Sequence, residues 1–231
     1  MADRPILFSA PMVRALLAGT KTQTRRAIKS IDGHRAITEF GPSDTLGYDW
    51  HFRDKELRWC DVRHDILIAR LRCKLGDQLW VREAWNIEWV KDLAPGETLG
   101  RTRAECEAVN GGFACPCGDG IVYAATNAQR HPEHGSARWR SPIHMPRWAS
   151  RITLTVTDVR VQRLQDISTG DADAEGALAP PYSSEFAAVH AVPMYQAIWE
   201  GINGPGSWDA NPWVAAYTFT VQLGNIDRVQ T

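Results

Sequence analysis

The sequence of 231 residues has no long apolar run, almost no net charge and no even set of cysteines. No apolar stretch is long enough to span a membrane, and the N-terminal residues lack the apolar core of a signal peptide, so we expect a cytoplasmic protein without a membrane span. The formal net charge of -1 excludes a global basic field, so any nucleic-acid binding must rest on a local patch. Five cysteines without an export signal argue against a disulfide framework.

The composition is that of a soluble globular protein, with 44% hydrophobic and 23% charged residues. No internal repeat, heptad or low-complexity tract is present. The 10 tryptophans are many for this length. We expect most of them in the core, and a few as stacking walls for a base. Trp208, Asn211 and Trp213 are expected to be structural.

Short alternating patterns predict strands at 5–8, 22–26, 78–83, 121–125, 151–164 and 213–223. The strongest is RITLTVTDVRVQRL at 151–164, where a change of parity near Thr157 and Asp158 suggests a bulge. Helices are predicted after Ser9, at 171–178 with Ser168 as a cap, and at 194–200, ended by Gly201. Short strands with few helices indicate the α+β class. Within that class we expect a small twisted β-barrel with helices over its openings.

Two stretches fall outside these patterns. Residues 27–75 and 91–120 show weak periodicity and are interpreted as insertions or long irregular excursions. The chain is long enough for one large domain, so we expect a single domain over residues 1–231 that carries both insertions.

The run GTKTQTRR at 19–26 is the most informative for function. It follows a predicted helix, with Gly19 where a left-handed C-terminal cap usually lies. A threonine hydroxyl is a weak nucleophile that needs a base, and a lysine can serve if burial or nearby positive charge lowers its pKa. Lys21 and Thr24 would converge only if the segment bends between them, because residues three apart in a strand face opposite sides. The alternative is the start of an ordinary surface strand.

A cysteine-rich stretch provides candidate metal ligands. Cys106, Cys115 and Cys117 lie in the second insertion, and His131 and His134 follow it. Thiolates and imidazoles suit tetrahedral zinc, which here would be structural. The alternative is a loop of free cysteines, and no cofactor is otherwise expected.

Arginines and tryptophans are interleaved before the 151–164 strand. Arg147 and Trp148, with the arginines around them, are candidates for phosphate contact and base stacking in single-stranded nucleic acid. The alternative is that Trp148 packs at the start of the strand beneath the arginines. Further candidates for the same binding surface are Trp80, Arg82, Glu83 and Trp85.

Four runs carry a family resemblance: ILFSAPMVRALLAGTKTQTRR, GDQLWVREAW, SPIHMPRWASRITLTVTDVRVQRLQDISTGDADAEG and NPWVAAYTF. They resemble the ASCH family, which has a PUA-like β-barrel, and the whole chain is similar to ASCH-domain proteins common in phages and prophages. The element G-x-K-T-x-T-x-R is distinctive of that family. The matching blocks cover about half of the residues and leave both insertions uncovered.

The resemblance implies a function. Small bacterial members of the family hydrolyse the acyl amide of N(4)-acetylcytidine with a Lys, a Thr three residues later and a Glu after the third core strand. These correspond to Lys21, Thr24 and Glu175, with Asp171 and Asp173 as competing carboxylates. Arg26 or nearby backbone amides would hold the oxyanion. We therefore expect a modified nucleoside or single-stranded nucleic acid as partner, with an RNA- or DNA-binding module that reads modified bases, or a ribonuclease, as alternatives.

Overall fold

The structure, a computed structural model, describes residues 2–31, 34–35, 37–89, 119–126, 139–178 and 182–228. The chain divides into two compact units. Unit 1 consists of Met1–Arg4, Ala15–Gln78 and Leu154–Val221, and unit 2 consists of Pro5–Arg14, Leu79–Thr153 and Gln222–Thr231. The expectation of a single domain over residues 1–231 stays a prediction.

The described residues form short strands and few helices. The strands are β1 (Asp3–Leu7), β2 (Gln23–Ala27), β3 (Ser30–Ile31), β4 (His34–Arg35), β5 (Glu39–Pro42), β6 (Trp50–Arg53), β7 (Trp59–Val62), β8 (Gln78–Arg82), β9 (Trp85–Trp89), β10 (Asp119–Tyr123), β11 (Ile152–Arg163) and β12 (Trp213–Leu223). The α-helices are α1 (Ala10–Leu17), α2 (His64–Arg70), α3 (Thr169–Ala174) and α4 (Ser184–Asn203).

The strands form several sheets. The largest has five strands in the order β1-β8-β11-β12-β2, and the smaller ones pair β9 with β10, β3 with β4, and β5-β6-β7. In β2 and β12, which are antiparallel, Gln23 lies opposite Thr218 and Ala27 opposite Val214. The α+β class is therefore confirmed. In the described parts of the chain, no ladder closes the five-stranded sheet into a barrel.

The clearest sequence patterns match the structure. Strand β12 has the predicted bounds, and β11 and β8 differ from theirs by one residue at one or both ends. Helix α4 differs, because it runs over 20 residues rather than from 194 to 200. It begins at the Ser183 cap, passes Pro193, and ends at Gly204 instead of Gly201. The cap and the packing of Ala191, Tyr195 and Trp199 on the core outweigh the two helix breakers.

Of the two interpretations of residues 27–75, the irregular excursion is wrong, and the insertion stays a prediction. Strands β3 to β7 and helix α2 lie within it. These strands are two to four residues long, too short for alternation to stand out in the sequence. The second insertion at 91–120 lies outside the described residues except for its last two positions.

Each unit has its own apolar cluster. In unit 1, Leu164, Ala172, Ala191 and Val214 are fully buried with Tyr195, Trp199 and Trp208 around them. In unit 2, Trp85, Met145 and Ala149 form a smaller cluster with Tyr123 and Trp148 at its border. Within the described ranges, no helix is both long and apolar enough to cross a membrane.

Candidate active site

The GTKTQTRR run leaves helix α1 through a tight turn. Gly19 has a φ of 74°, as predicted for a left-handed cap, and its amide donates to the Leu16 carbonyl at 3.1 Å. The Ala15 carbonyl then accepts from the amides of Thr20 and Lys21, at 3.0 and 3.2 Å. Main-chain bonds therefore fix the position from which the Lys21 side chain leaves the backbone.

The Lys21 ammonium is completely enclosed. Its side chain is 0% exposed, and Nζ donates to the Gln23 carbonyl, the Glu175 carbonyl and Glu175 Oε2, each at 2.8 Å. An ammonium has three donors, so these three acceptors satisfy it. Two of the three come from a residue 154 positions away.

Glu175 lies at the C-terminal end of α3, where the fold presents both its carbonyl and its carboxylate. Its amide donates to the Asp171 carbonyl at 3.0 Å, which fixes the residue against the helix. Oε2 accepts from Lys21, and Oε1 accepts from Arg25 at 3.2 Å. Burial and the neighbouring carboxylate raise the pKa of Tyr195, whose phenol shares a hydrogen bond with Glu175. A single buried carboxylate therefore lies between two cations.

A second carboxylate extends this network toward solvent. Asp171 accepts from Gln23 Nε2 at 2.9 Å and from Arg160 at 3.0 Å, and forms an ion pair with Arg25 at 3.0 Å. Burial alone would raise the pKa of Asp171, but the hydrogen bonds from Arg160 and Gln23 and the charge of Arg25 hold it below its ordinary value. Two carboxylates thus balance the buried Lys21 and Arg25.

The protonation of Lys21 is set by opposing effects. Burial is the largest, and it lowers the pKa of Lys21 below the ordinary lysine value. The charge and hydrogen bond of Glu175 oppose this, while the charges of Arg26 and Arg25 lower the pKa further. A lowered pKa is found for lysines that act as general bases, and structural ion-pair networks produce it as well.

Thr24 lies in a regular stretch of strand. It is 1% exposed and faces Tyr217 across the β2–β12 ladder. Strand alternation places its side chain on the face opposite Gln23 and Arg25, which contact the α3 carboxylates. Lys21 precedes β2, and its amine binds the carbonyl of Gln23, in the peptide that continues into Thr24.

The competing carboxylates are engaged elsewhere. Asp171 binds Gln23, Arg25 and Arg160, as described above, and Asp173 accepts a hydrogen bond from Tyr182. Glu175 is the one that the fold brings against Lys21 Nζ at 2.8 Å. Sequence reasoning missed Gln23, Arg160 and Tyr195. Only Gln23 left a signal, because Lys21, Gln23 and Arg25 follow the two-residue period of one strand face.

Gly176 makes the close approach of α3 to Lys21 possible. Its φ is 75°, and its amide donates to the Asp173 carbonyl at 2.7 Å. A Cβ atom there would lie 2.8 Å from the Ala15 Cβ and 3.2 Å from the Lys21 Cβ. A side chain at this position would therefore push α3 away from the lysine that Glu175 binds.

The candidate binding residues of unit 2 are used in internal contacts. Glu83, 1% exposed, forms a bidentate ion pair with Arg151 at 2.8 and 3.0 Å. Trp80 is buried, and the Arg82 guanidinium lies 4.4 Å from its ring centroid. Glu83 and Trp80 therefore both have a side-chain partner within unit 2.

The remaining candidates of unit 2 lie around its apolar cluster. Trp85 is buried, with the Arg140 guanidinium 5.1 Å from its ring and the edge of Trp148 against it at 6.1 Å. Trp148 is half-buried, and Arg147 forms an ion pair with Asp227 at 2.7 Å. Trp148 therefore packs against the apolar cluster of unit 2.

The zinc candidates Cys106, Cys115, Cys117, His131 and His134 lie outside the described residues. Among the residues that the structure does describe, no group of three or more His, Cys, Asp or Glu side chains could hold a metal ion. Comparison of the chain with protein-family models, with curated proteins and with solved structures gives no match.

Substitutions at the buried pair should be costly and unequal. Glu175→Gln leaves both Lys21 and Arg25 without their shared carboxylate, so we expect a loss of about 3–5 kcal/mol in the free energy of unfolding. Lys21→Met should cost less, because Arg25 still balances Glu175. The double variant should cost less than the sum of the two. Denaturant titration of the four proteins measures these differences.

The matched control is Lys55→Met, since Lys55 is 66% exposed and forms only a surface ion pair with Glu56. Its effect should stay within about 0.5 kcal/mol. Strict additivity of the Lys21 and Glu175 effects would contradict the coupling.

A methyl group at Gly176 should destabilise the chain more than one at Gly19. The two glycines have nearly equal φ values, 75° and 74°, so alanine carries the same backbone strain of about 1–2 kcal/mol at both. Only Gly176 adds a steric clash, because nothing lies within 4 Å of a Cβ at Gly19. Thermal melts of Gly176→Ala and Gly19→Ala give the comparison, and equal melting temperatures would rule out the close approach.

The lowered pKa of Asp171 predicts a specific acid sensitivity. A carboxyl whose folded-state pKa lies below the unfolded value of about 3.9 contributes stability above that pH, and the contribution is lost as the pH falls through the folded pKa. Asp171→Asn should therefore flatten part of the fall in stability below about pH 4. Arg160→Gln should also make the fall in stability below about pH 4 less steep, because it removes a hydrogen bond that lowers the pKa of Asp171. Parallel stability curves for wild type and Asp171→Asn would contradict this origin.

Proposed function

We propose that this chain belongs to the ASCH family, that its five-stranded sheet is part of a PUA-like barrel, and that it hydrolyses the acyl amide of an N(4)-acetylcytidine-like nucleoside. The observation that carries the proposal is the contact between Lys21 and Glu175. The resemblance selected these two residues from positions 154 apart, and they lie 2.8 Å from each other, both buried.

The surroundings of Lys21 suit a base that gains a proton during the reaction. Burial lowers its pKa, which raises the fraction of neutral amine near neutral pH. Once the amine takes a proton, the resulting ammonium has three acceptors at 2.8 Å ready to receive it. The two Glu175 acceptors stay in place to stabilise the charged form while the amine exchanges its remaining partner.

The proposed reaction uses Thr24 as the nucleophile. Lys21 takes the proton of the Thr24 hydroxyl, and the oxygen forms a bond to the acyl carbon. The bond from that carbon to the cytosine N4 breaks, and the leaving amine takes the proton from Lys21. Water then hydrolyses the threonine ester, which releases acetate and restores Thr24. Arg26, two residues further along the same strand face, is proposed to stabilise the oxyanion.

Proton transfer requires a local exchange of partners. The Lys21 amine already binds the Gln23 carbonyl, in the peptide that leads into Thr24. The amine must give up one of its three acceptors for the Thr24 hydroxyl, on the other face of the strand. Glu175 holds the amine through two of those acceptors and so controls this exchange.

Incubation of purified protein with N(4)-acetylcytidine, followed by chromatography of the nucleosides, tests the activity. Thr24→Val removes the nucleophile at nearly constant volume and should lower turnover by roughly 1,000-fold or more. Thr24→Ser should keep measurable turnover. The matched control is Thr153→Val, a second threonine buried in a strand, whose hydroxyl donates to the Gly224 carbonyl at 3.0 Å. It should lose stability but keep activity.

Undiminished turnover in Thr24→Val would overturn the role of Thr24. No turnover by wild type on N(4)-acetylcytidine or other N-acylated bases would overturn the hydrolase proposal.

A second candidate function is a module that binds modified bases without turnover. One observation favours it: the three donors of Lys21 are satisfied, and Thr24 is 1% exposed. A binding module needs neither group to move. Binding of the acetylated nucleoside without product would identify it, and cleavage of a control RNA in the same assay would instead indicate a ribonuclease.

A further inference from the structure

An aromatic and cationic cleft in unit 1 lies away from the Lys21 network. It has a volume of about 430 Å³ and is bordered by the end of β2, the start of β5 and the start of β12. Ala27 borders the cleft, while Gln23, at the other end of the same strand, belongs to the Lys21 network. Arg25, the network residue nearest to Ala27 along β2, is two strand steps away, about 7 Å. No residue of the Lys21 network lines the cleft.

Two aromatic rings line the cleft, and a third packs against both of them. Phe40 stacks on Trp50 with ring centroids 5.4 Å apart and planes 20° apart. Trp213 meets the edges of both rings, at 4.9 Å from Trp50 and 6.0 Å from Phe40. All three side chains are half-buried, and Phe40 and Trp213 line the cleft. This cluster holds its rings in fixed orientations beside an open space.

Cations complete the lining. The Arg163 guanidinium lies over the Trp213 ring, 4.6 Å from its centroid, and donates to the Asn211 carbonyl at 3.0 Å. Lys29 is exposed at the border. Glu39 also lines the cleft, but its carboxylate is balanced by Arg53 at 2.8 Å. Within the part of the chain that the structure describes, neither Arg163 nor Lys29 forms a salt bridge, so the cleft presents positive charge beside aromatic rings.

We propose that this cleft binds one nucleotide of a single-stranded nucleic acid. The base would lie against the Phe40 and Arg163 side chains, and the phosphate would lie at Lys29. Aromatic rings and guanidinium planes stack bases, and lysine at the border neutralises a phosphate. The volume lies within the range of small-ligand pockets. A planar ring that carries an anion matches this lining better than an acidic peptide, which would leave the aromatic wall without a stacking partner.

Fluorescence anisotropy with a labelled single-stranded cytidine oligonucleotide tests the proposal. Arg163→Gln should weaken binding about tenfold or more, the usual effect of losing a stacking partner. Lys29→Gln should weaken binding less than Arg163→Gln. It should also make the slope of log affinity against log salt shallower by about 0.9, the change expected for the loss of one phosphate contact. Lys55→Gln, a substitution of an exposed lysine in the same unit, should leave binding unchanged.

Photocrosslinking of a thiouridine-containing oligonucleotide gives a second readout that does not depend on the folding of a variant. The crosslink should map to peptides that contain Phe40 or Trp213. Competition by cytidine monophosphate at similar strength would assign the site to a free nucleotide, and competition only by the oligonucleotide would assign it to a polymer. Binding that is insensitive to both cleft variants, crosslinks only elsewhere, or displacement only by polyglutamate would overturn the proposal.

Discussion

A carboxylate buried between two cations is the interaction on which the arrangement of α3 and β2 depends. Removing a charge from water costs several kcal/mol, which is recovered only when each charged atom finds a partner of good geometry. Glu175 meets this requirement with Lys21 at 2.8 Å and Arg25 at 3.2 Å. The end of α3 must therefore lie against the start of β2, which explains the absence of a side chain at Gly176.

The same requirement connects structure with the proposed chemistry. A lysine that is saturated by three acceptors is stable as an ammonium, whereas a base must spend part of its time neutral. Burial and the charges of Arg25 and Arg26 move Lys21 toward the neutral form, and Glu175 moves it back. Ordinary surface ion pairs do not show these opposing effects on a lysine pKa. Burying the charges of the network also carries a desolvation cost that a well-packed apolar cluster would not.

The sequence predicts elements whose signal is local, and the structure shows why others were missed. Strands β11 and β12 are 12 and 11 residues long and rich in β-branched and aromatic residues, so their bounds could be predicted. The predicted helix was shorter than α4 because Pro193 and Gly201 are helix-breaking residues that can be read from the sequence. The tertiary packing that outweighs them cannot be read from it. Glu175 was reached through the family resemblance alone, since no local pattern links it to Lys21. Tyr195 gave no signal, because a buried tyrosine is usually core.

The distribution of cations makes the proposed binding of a phosphate compatible with a net charge of -1. Arg25, Arg58 and Arg151 are paired with carboxylates and add little to the surface field. Arg163 instead donates to a carbonyl and lies over an aromatic ring, and among the described residues no carboxylate forms a salt bridge with it. Attraction at the cleft is therefore local, and selectivity there must come from stacking more than from long-range steering.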